Sequence, residues 1–175
     1  MKGKLSGKKI LMFVDDLYED LELWYPKLRL IEEDAEVLVA GKEKGKIYSG
    51  KHTYPCRAYA SFDELNDKDF DALVIPGGFA PDKLRREQNV LKLTKNIFKS
   101  GKLVAHICHA GWIPISAGIM KSFRCTSTPG IKDDLMNAGA IWVDEPVVVD
   151  KNMISSRRPD DLPEFCKAII EYLYK

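Results

Sequence analysis

Four short apolar runs, separated by stretches with helical spacing, constrain the fold of this chain more than any other feature. They lie at residues 9–14, 36–40, 70–76 and 103–107. Runs of this length with almost no polar alternation make strands buried on both faces. Between the first two, Leu17, Leu21, Trp24, Tyr25, Leu28 and Ile31 recur at helical spacing over 17–33, with Pro26 predicting a kink. Residues 81–100 read as a helix in two pieces, stopped by Gly101. Strand and helix in alternation give a doubly wound, mostly parallel α/β sheet. The remainder is shorter. Residues 41–59 are polar, with Gly45, Gly50 and Pro55, and suit a strand pair or an irregular excursion; 61–65 suit a capped turn. An extended piece at 124–127 precedes a helix at 131–138, strands at 140–143 and 147–149, and a strand at 152–156 paired back across the turn at 150–152. A final amphipathic helix ends at Tyr174, with Pro163 in its first turn and Asp160 or Asp161 as its cap.

The 175 residues suit a single domain, 1–175, with an apolar fraction of 45% that is ordinary for a globular protein. Net charge is +1, with no basic cluster interleaved with aromatics, which argues against a nucleic-acid surface. No apolar run approaches membrane-spanning length. The lysine-rich start, 1–8, lacks the apolar core of a signal peptide and reads as a flexible polar tail. Cysteines 56, 108, 125 and 166 are too scattered for a metal site or a Cys-x-x-Cys pair, so free thiols in a reducing cytoplasm are expected. Gly77-Gly78 is followed by no phosphate-loop lysine. No cofactor and no metal are implied.

In doubly wound sheets, ligands bind beyond the C-terminal strand ends. Three loops meet that rule, at 15–19, 77–82 and 108–111. Cys108 stands at the turn from the fourth run into a helix that begins with Ala110, Gly111 and Trp112. The start of a helix offers backbone N–H groups and a positive dipole end, both of which favour a thiolate. His109 follows at once as a base. The arrangement is similar to a nucleophile elbow with cysteine in place of serine. Gly77-Gly78 leaves further N–H groups unobstructed. Cys56, Cys125 and Cys166 lack such neighbours and read as filler. His106 faces the opposite side of its strand from Ile107, as a buried histidine with satisfied nitrogens. Tyr18 and Trp112 suit packing or the lining of a pocket.

Five segments in order carry a resemblance across nearly the whole chain: Tyr18-Glu19-Asp20-Leu21-Glu22-Leu23, Pro76-Gly77-Gly78-Phe79-Ala80-Pro81-Asp82, Ile107-Cys108-His109, Ser127-Thr128-Pro129-Gly130-Ile131-Lys132-Asp133-Asp134 and Ser156-Arg157-Arg158-Pro159-Asp160-Asp161-Leu162-Pro163. Together they closely resemble the PfpI-type intracellular proteases of the ThiJ/PfpI superfamily. The resemblance implies a flavodoxin-like three-layer sandwich of the class I glutamine amidotransferase type. It implies Cys108 as nucleophile, Glu19 as the carboxylate against its thiol, and His109 as base. It also implies Asp82, reaching His109 from a neighbouring subunit where relatives commonly have glutamate, and a binding strip of Gly77, Gly78 and His109 whose N–H groups hold an oxyanion. Ala110-Gly111 stands where relatives usually have glycine then proline, which changes the pocket's shape. The function implied is cysteine-dependent hydrolysis by thiolate attack on a carbonyl, on a small peptide. The alternative is a glyoxalase or protein deglycase acting on methylglyoxal or its adducts. A redox-sensing or chaperone-like stress-response role without significant turnover is a third reading. Relatives self-associate, so a dimer or larger ring in the cytoplasm is expected.

Overall fold

The structure, a computed structural model, describes residues 3–175. Its strands are β1 (Lys9–Phe13), β2 (Glu36–Gly41), β3 (Ile47–Ser49), β4 (Pro55–Arg57), β5 (Ala60–Ser61), β6 (Ala72–Ile75), β7 (Leu103–Ile107), β8 (Arg124–Cys125), β9 (Ile141–Trp142), β10 (Val147–Asp150) and β11 (Met153–Ser156). Its α-helices are α1 (Asp20–Glu32), α2 (Ala80–Leu84), α3 (Gln88–Lys99), α4 (Trp112–Ser116), α5 (Lys132–Asn137) and α6 (Leu162–Tyr174).

Seven strands form one sheet in the order β10-β11-β7-β6-β1-β2-β5, parallel throughout except for the β10–β11 hairpin. The four apolar runs are its middle. In β1, Leu11 pairs with Leu38 on one side and Leu73 on the other, and Ile10 to Val14 are all fully buried. Each such side chain contributes about 1.5–3 kcal/mol. Helices α1 and α6 pack together on one face, while α3 and α4 cover the other. This three-layer sandwich brings the C-terminal ends of β1, β6 and β7 side by side.

Three expectations change. Residues 3–8 are packed, not a flexible tail, while Met1 and Lys2 lie outside the described residues. Leu5 is fully buried, and its N–H donates to the Glu33 carbonyl at 2.8 Å, so a lone apolar residue among lysines is enough to anchor the segment. Helix α1 starts at Asp20, because Leu17 adopts φ 68° and turns the chain, and it runs through Pro26 as one element. Asp161 does not cap α6 with its side chain. Its carboxylate instead accepts from Arg157 Nε at 2.8 Å and Nη2 at 3.1 Å. The paired pieces at residues 41–59 are the β3–β4 hairpin.

Candidate active site

Two of the three strand-end loops, 15–19 and 77–82, are joined edge to edge and to the turn between β3 and β4. Tyr18 bridges Gly78 in antiparallel fashion and Gly50 in parallel. The Glu19 N–H donates to Gly77 O at 3.1 Å, Phe79 N–H to Leu17 O at 2.8 Å, and Lys51 N–H to Tyr18 O at 2.9 Å. The Tyr18 ring is fully buried and donates through its hydroxyl to Tyr54 O, so the ribbon has its own small core.

Cys108 lies at the end of β7 with φ 62°, in the left-handed region that a non-glycine residue rarely occupies. That backbone turn aims the side chain out of the sheet's end and lets sequence neighbours meet. Cys108 Sγ lies 3.3 Å from His109 Nδ1. The backbone N–H groups of His109 and Gly78 both lie near enough to the sulfur to lower the pKa of the thiol. The chain continues from Cys108 as a single 3-10 turn, Cys108–Gly111, before the five-residue α4, so this end offers a short turn and the His109 N–H in place of a long helix dipole.

Glu22 is the carboxyl at the sulfur. It is fully buried, and Oε2 accepts from the Gly77 N–H at 2.9 Å. Oε1 has no partner of good hydrogen-bond geometry, yet the carboxyl interacts with the Cys108 thiol. This corrects the assignment of Glu19. Glu19 is the N-cap of α1, and its carboxylate accepts from the Glu22 N–H at 2.9 Å. Gly77 is corrected too, because its N–H is taken by Glu22 and does not face a ligand. Its role is steric: a Cβ there would lie 2.5 Å from Glu22 Oε2 and 2.8 Å from Cys108 Cβ.

Burial, and then the charge of Glu19, push Glu22 up to about 8, so it holds a proton at neutral pH. Burial raises the Cys108 thiol, and an ionised Glu22 raises it further, while the His109 and Gly78 N–H groups pull it down. A protonated Glu22 removes the second of the upward pushes and adds a donor. Burial first, and then the charge of Lys51, lower the pKa of His109, leaving it neutral with a lone pair free for a proton.

Asp82 is in α2, exposed, with its carboxylate accepting from Arg86 Nη2, in the turn after that helix, at 3.0 Å. Within one chain the structure does not bring it to His109. The loop at 128–130 is a site element the sequence reading missed: a Cβ on Gly130 would sit 3.7 Å from His109 Nε2. Trp112 flanks the same histidine with ring centroids 5.2 Å apart and donates to Asp134 Oδ2 at 2.7 Å. His106 is buried as expected, but both its ring nitrogens lack partners, and burial lowers its pKa to about 4. One oxygen or nitrogen each from Glu19, Asp20 and His52 lie within 4.8 Å of one another. Asp20 has both oxygens on the His52 and Tyr54 N–H groups, and Glu19 caps α1, so these carboxylates already serve the fold.

A family model described as DJ-1/PfpI family matches residues 8–172. The chain belongs to the DJ-1/PfpI family. Within that family it is 46% identical to Deglycase PfpI of Pyrococcus furiosus, over 94% of this chain and 99% of the relative. It is 37% identical to Protein/nucleic acid deglycase 2 of Escherichia coli, over 95% and 98%. Among solved structures, Drosophila melanogaster DJ-1beta superposes with a TM-score of 0.90 at 28% identity, covering 97% of this chain and 91% of that one. Among the described residues, no helix is long and apolar enough to cross a membrane.

Proposed function

We propose that this chain is a cysteine-dependent hydrolase of deglycase type, acting on the adducts that α-oxoaldehydes such as methylglyoxal form with amines. The observation that carries the reading is the set of groups around one sulfur: His109 Nδ1 at 3.3 Å, two nearby N–H groups, and a buried carboxyl that is protonated at neutral pH. The names of the Pyrococcus and Escherichia relatives favour this substrate class over peptide bonds.

The chemistry follows from those positions. Neutral His109 accepts the thiol proton as sulfur approaches the carbon bearing the amine. A C–S bond forms, the C–N bond breaks, and the proton on His109 leaves with the amine. His109, neutral again once the amine has left, then takes the proton from that carbon and returns it to the adjacent carbonyl carbon, while protonated Glu22 donates to the carbonyl oxygen to form the enediol and recovers its proton from the other hydroxyl. This converts the hydroxyalkyl thioether into the thioester of a 2-hydroxy acid. One carbon is oxidised as its neighbour is reduced, so the step is balanced within the substrate. The N–H groups of Gly78 and His109 hold the oxygen on which charge builds. Water breaks the C–S bond, the 2-hydroxy acid leaves, and the thiol is restored.

Proton NMR of methylglyoxal-treated N-acetyllysine tests this. Lactate and N-acetyllysine are expected to appear together, faster than the adduct decays alone. Amine released at the spontaneous rate, without lactate, would overturn the reading.

The same reading has the chain working as a homo-oligomer. Leu21, Leu28 and Tyr54 are each more than half exposed and line one apolar groove beside the site. The Asp82 carboxylate, paired only across one helical turn, is open to a neighbouring copy. Sedimentation equilibrium is expected to give a dimer or larger assembly. A strict monomer at working concentration would exclude a cross-subunit role for Asp82.

A further inference from the structure

The turn between β3 and β4 holds a cation at the edge of the site. The Lys51 N–H is bonded to Tyr18 O at 2.9 Å, and Tyr18 is bridged to Gly78, whose N–H lies near the sulfur. The turn is pinned on its other flank by Asp20, which accepts from the His52 and Tyr54 N–H groups at 2.9 Å each. There is no slack beneath it: a Cβ on Gly50 would lie 2.2 Å from Asp20 Oδ1. Lys51 is therefore fixed at its backbone while its side chain is exposed, and among the described residues its ammonium makes no ion pair. The nearby carboxylates of Glu19 and Asp20 are committed to backbone N–H groups. The charge of Lys51 acts on His109 and on Glu22, the groups on either side of Cys108.

A solvated loop lysine needs neither a pinned backbone nor a position from which its charge reaches both partners of the nucleophile. We infer that Lys51 is a specificity-determining residue: its ammonium receives a carboxylate carried by the substrate near the reacting carbonyl. The site therefore favours anionic α-oxoaldehydes and adducts over neutral ones. The inference rests on the proposed reaction for its substrate class, but the charge preference can be measured without turnover.

The measurement is the alkylation of Cys108 by iodoacetate, an anion, relative to iodoacetamide, its neutral counterpart, with the modified residue followed by mass spectrometry. A unit charge at the edge of a part-solvated site changes such a ratio about three- to tenfold. The ratio is expected to fall by that factor in Lys51→Met and Lys51→Gln, and to recover in Lys51→Arg. Raising the salt to about 1 M, where charges are screened beyond about 3 Å, lowers it in the parent protein and leaves Lys51→Met unchanged. In turnover, kcat/KM for 4,5-dioxopentanoate, an α-oxoaldehyde that carries a carboxylate, relative to methylglyoxal falls in the same variants. An alkylation ratio unaltered in both folded neutral variants, as judged by circular dichroism, would overturn the inference. Absence of lactate formation with the ratio shifted as described would overturn the deglycase reaction and leave the role of Lys51 standing.

Discussion

Replacing Gly78 with alanine is expected to cost about 4 kcal/mol or more of stability, among the largest effects a single methyl can have here. The residue has φ 83°, and a Cβ would stand 2.4 Å from Glu19 N, 2.6 Å from Leu17 O and 2.7 Å from Tyr18 C. All three are backbone atoms in the ribbon that joins the loops, so no side chain can swing aside. Relief requires opening the Tyr18–Gly78 bridge, which also withdraws an N–H group from the sulfur. Gly45 supplies the control. Its φ is also 83°, but nothing lies within 4 Å of a built Cβ. Alanine there meets only the left-handed backbone penalty, about 1–2 kcal/mol. Urea unfolding of the two variants reads the difference. Equal losses at 78 and 45 would mean that the loops are not locked together at Gly78.

Substituting Glu22 by glutamine is expected to lower turnover by about 100-fold or more while making the fold less sensitive to alkali. The amide can still accept from the Gly77 N–H, but it cannot pass a proton, and positioned acid–base groups are worth about 100- to 10,000-fold. The pH effect follows from linkage. Glu22 has a folded pKa of about 8 against an ordinary 4.5, so between these values the folded chain binds the proton more tightly than the unfolded one. Its contribution is fully present below 4.5 and is lost as pH rises to 8. His106 works in the opposite sense: with a folded pKa of about 4 against an ordinary 6.5, it costs stability as pH falls through that interval. The two oppose each other up to pH 6.5, and above it Glu22 acts alone. Between pH 6.5 and 8 the parent protein should lose about 1.5–2 kcal/mol, at about 1.4 kcal/mol per unit well below the pKa. Glu22→Gln should be flat over that range. Parallel slopes for the two proteins would show that Glu22 ionises as an ordinary carboxyl.

The sheet and the placing of Cys108 at a strand end were legible because they rest on local patterns. Apolar runs without alternation announce strands buried on both faces, and a cysteine that ends such a run before histidine and small residues announces a turn at the sheet's end. The choice of carboxylate was not legible. Glu19, Asp20 and Glu22 lie within one helical turn, and which one meets the sulfur depends on where α1 begins. That point is set by the left-handed turn at Leu17, which nothing in the residue's type foretells. Starting the helix at Asp20 turns Glu19 back onto the helix's own N–H groups and buries Glu22 against Gly77. The same limit applies to Gly77: whether its N–H is free depends on Glu22, which reaches it from helix α1, far away in sequence. Leu5 was hidden by its lysine neighbours. The loop at 128–130 was missed as a site element because no chemistry-bearing side chain marks it; its backbone alone approaches His109.

The stitching of residues 17–19, 49–51 and 77–79 into one ribbon bears on when the chain becomes reactive. These segments are remote in sequence and meet only after the parallel strands beneath them have paired, which is the slow part of assembling such a sheet. Until then Cys108 has no N–H group from Gly78 and no buried carboxyl beside it. A chain still emerging, or one loosened by damage, therefore lacks the groups that surround Cys108, and that constellation arrives as a late property of the whole fold.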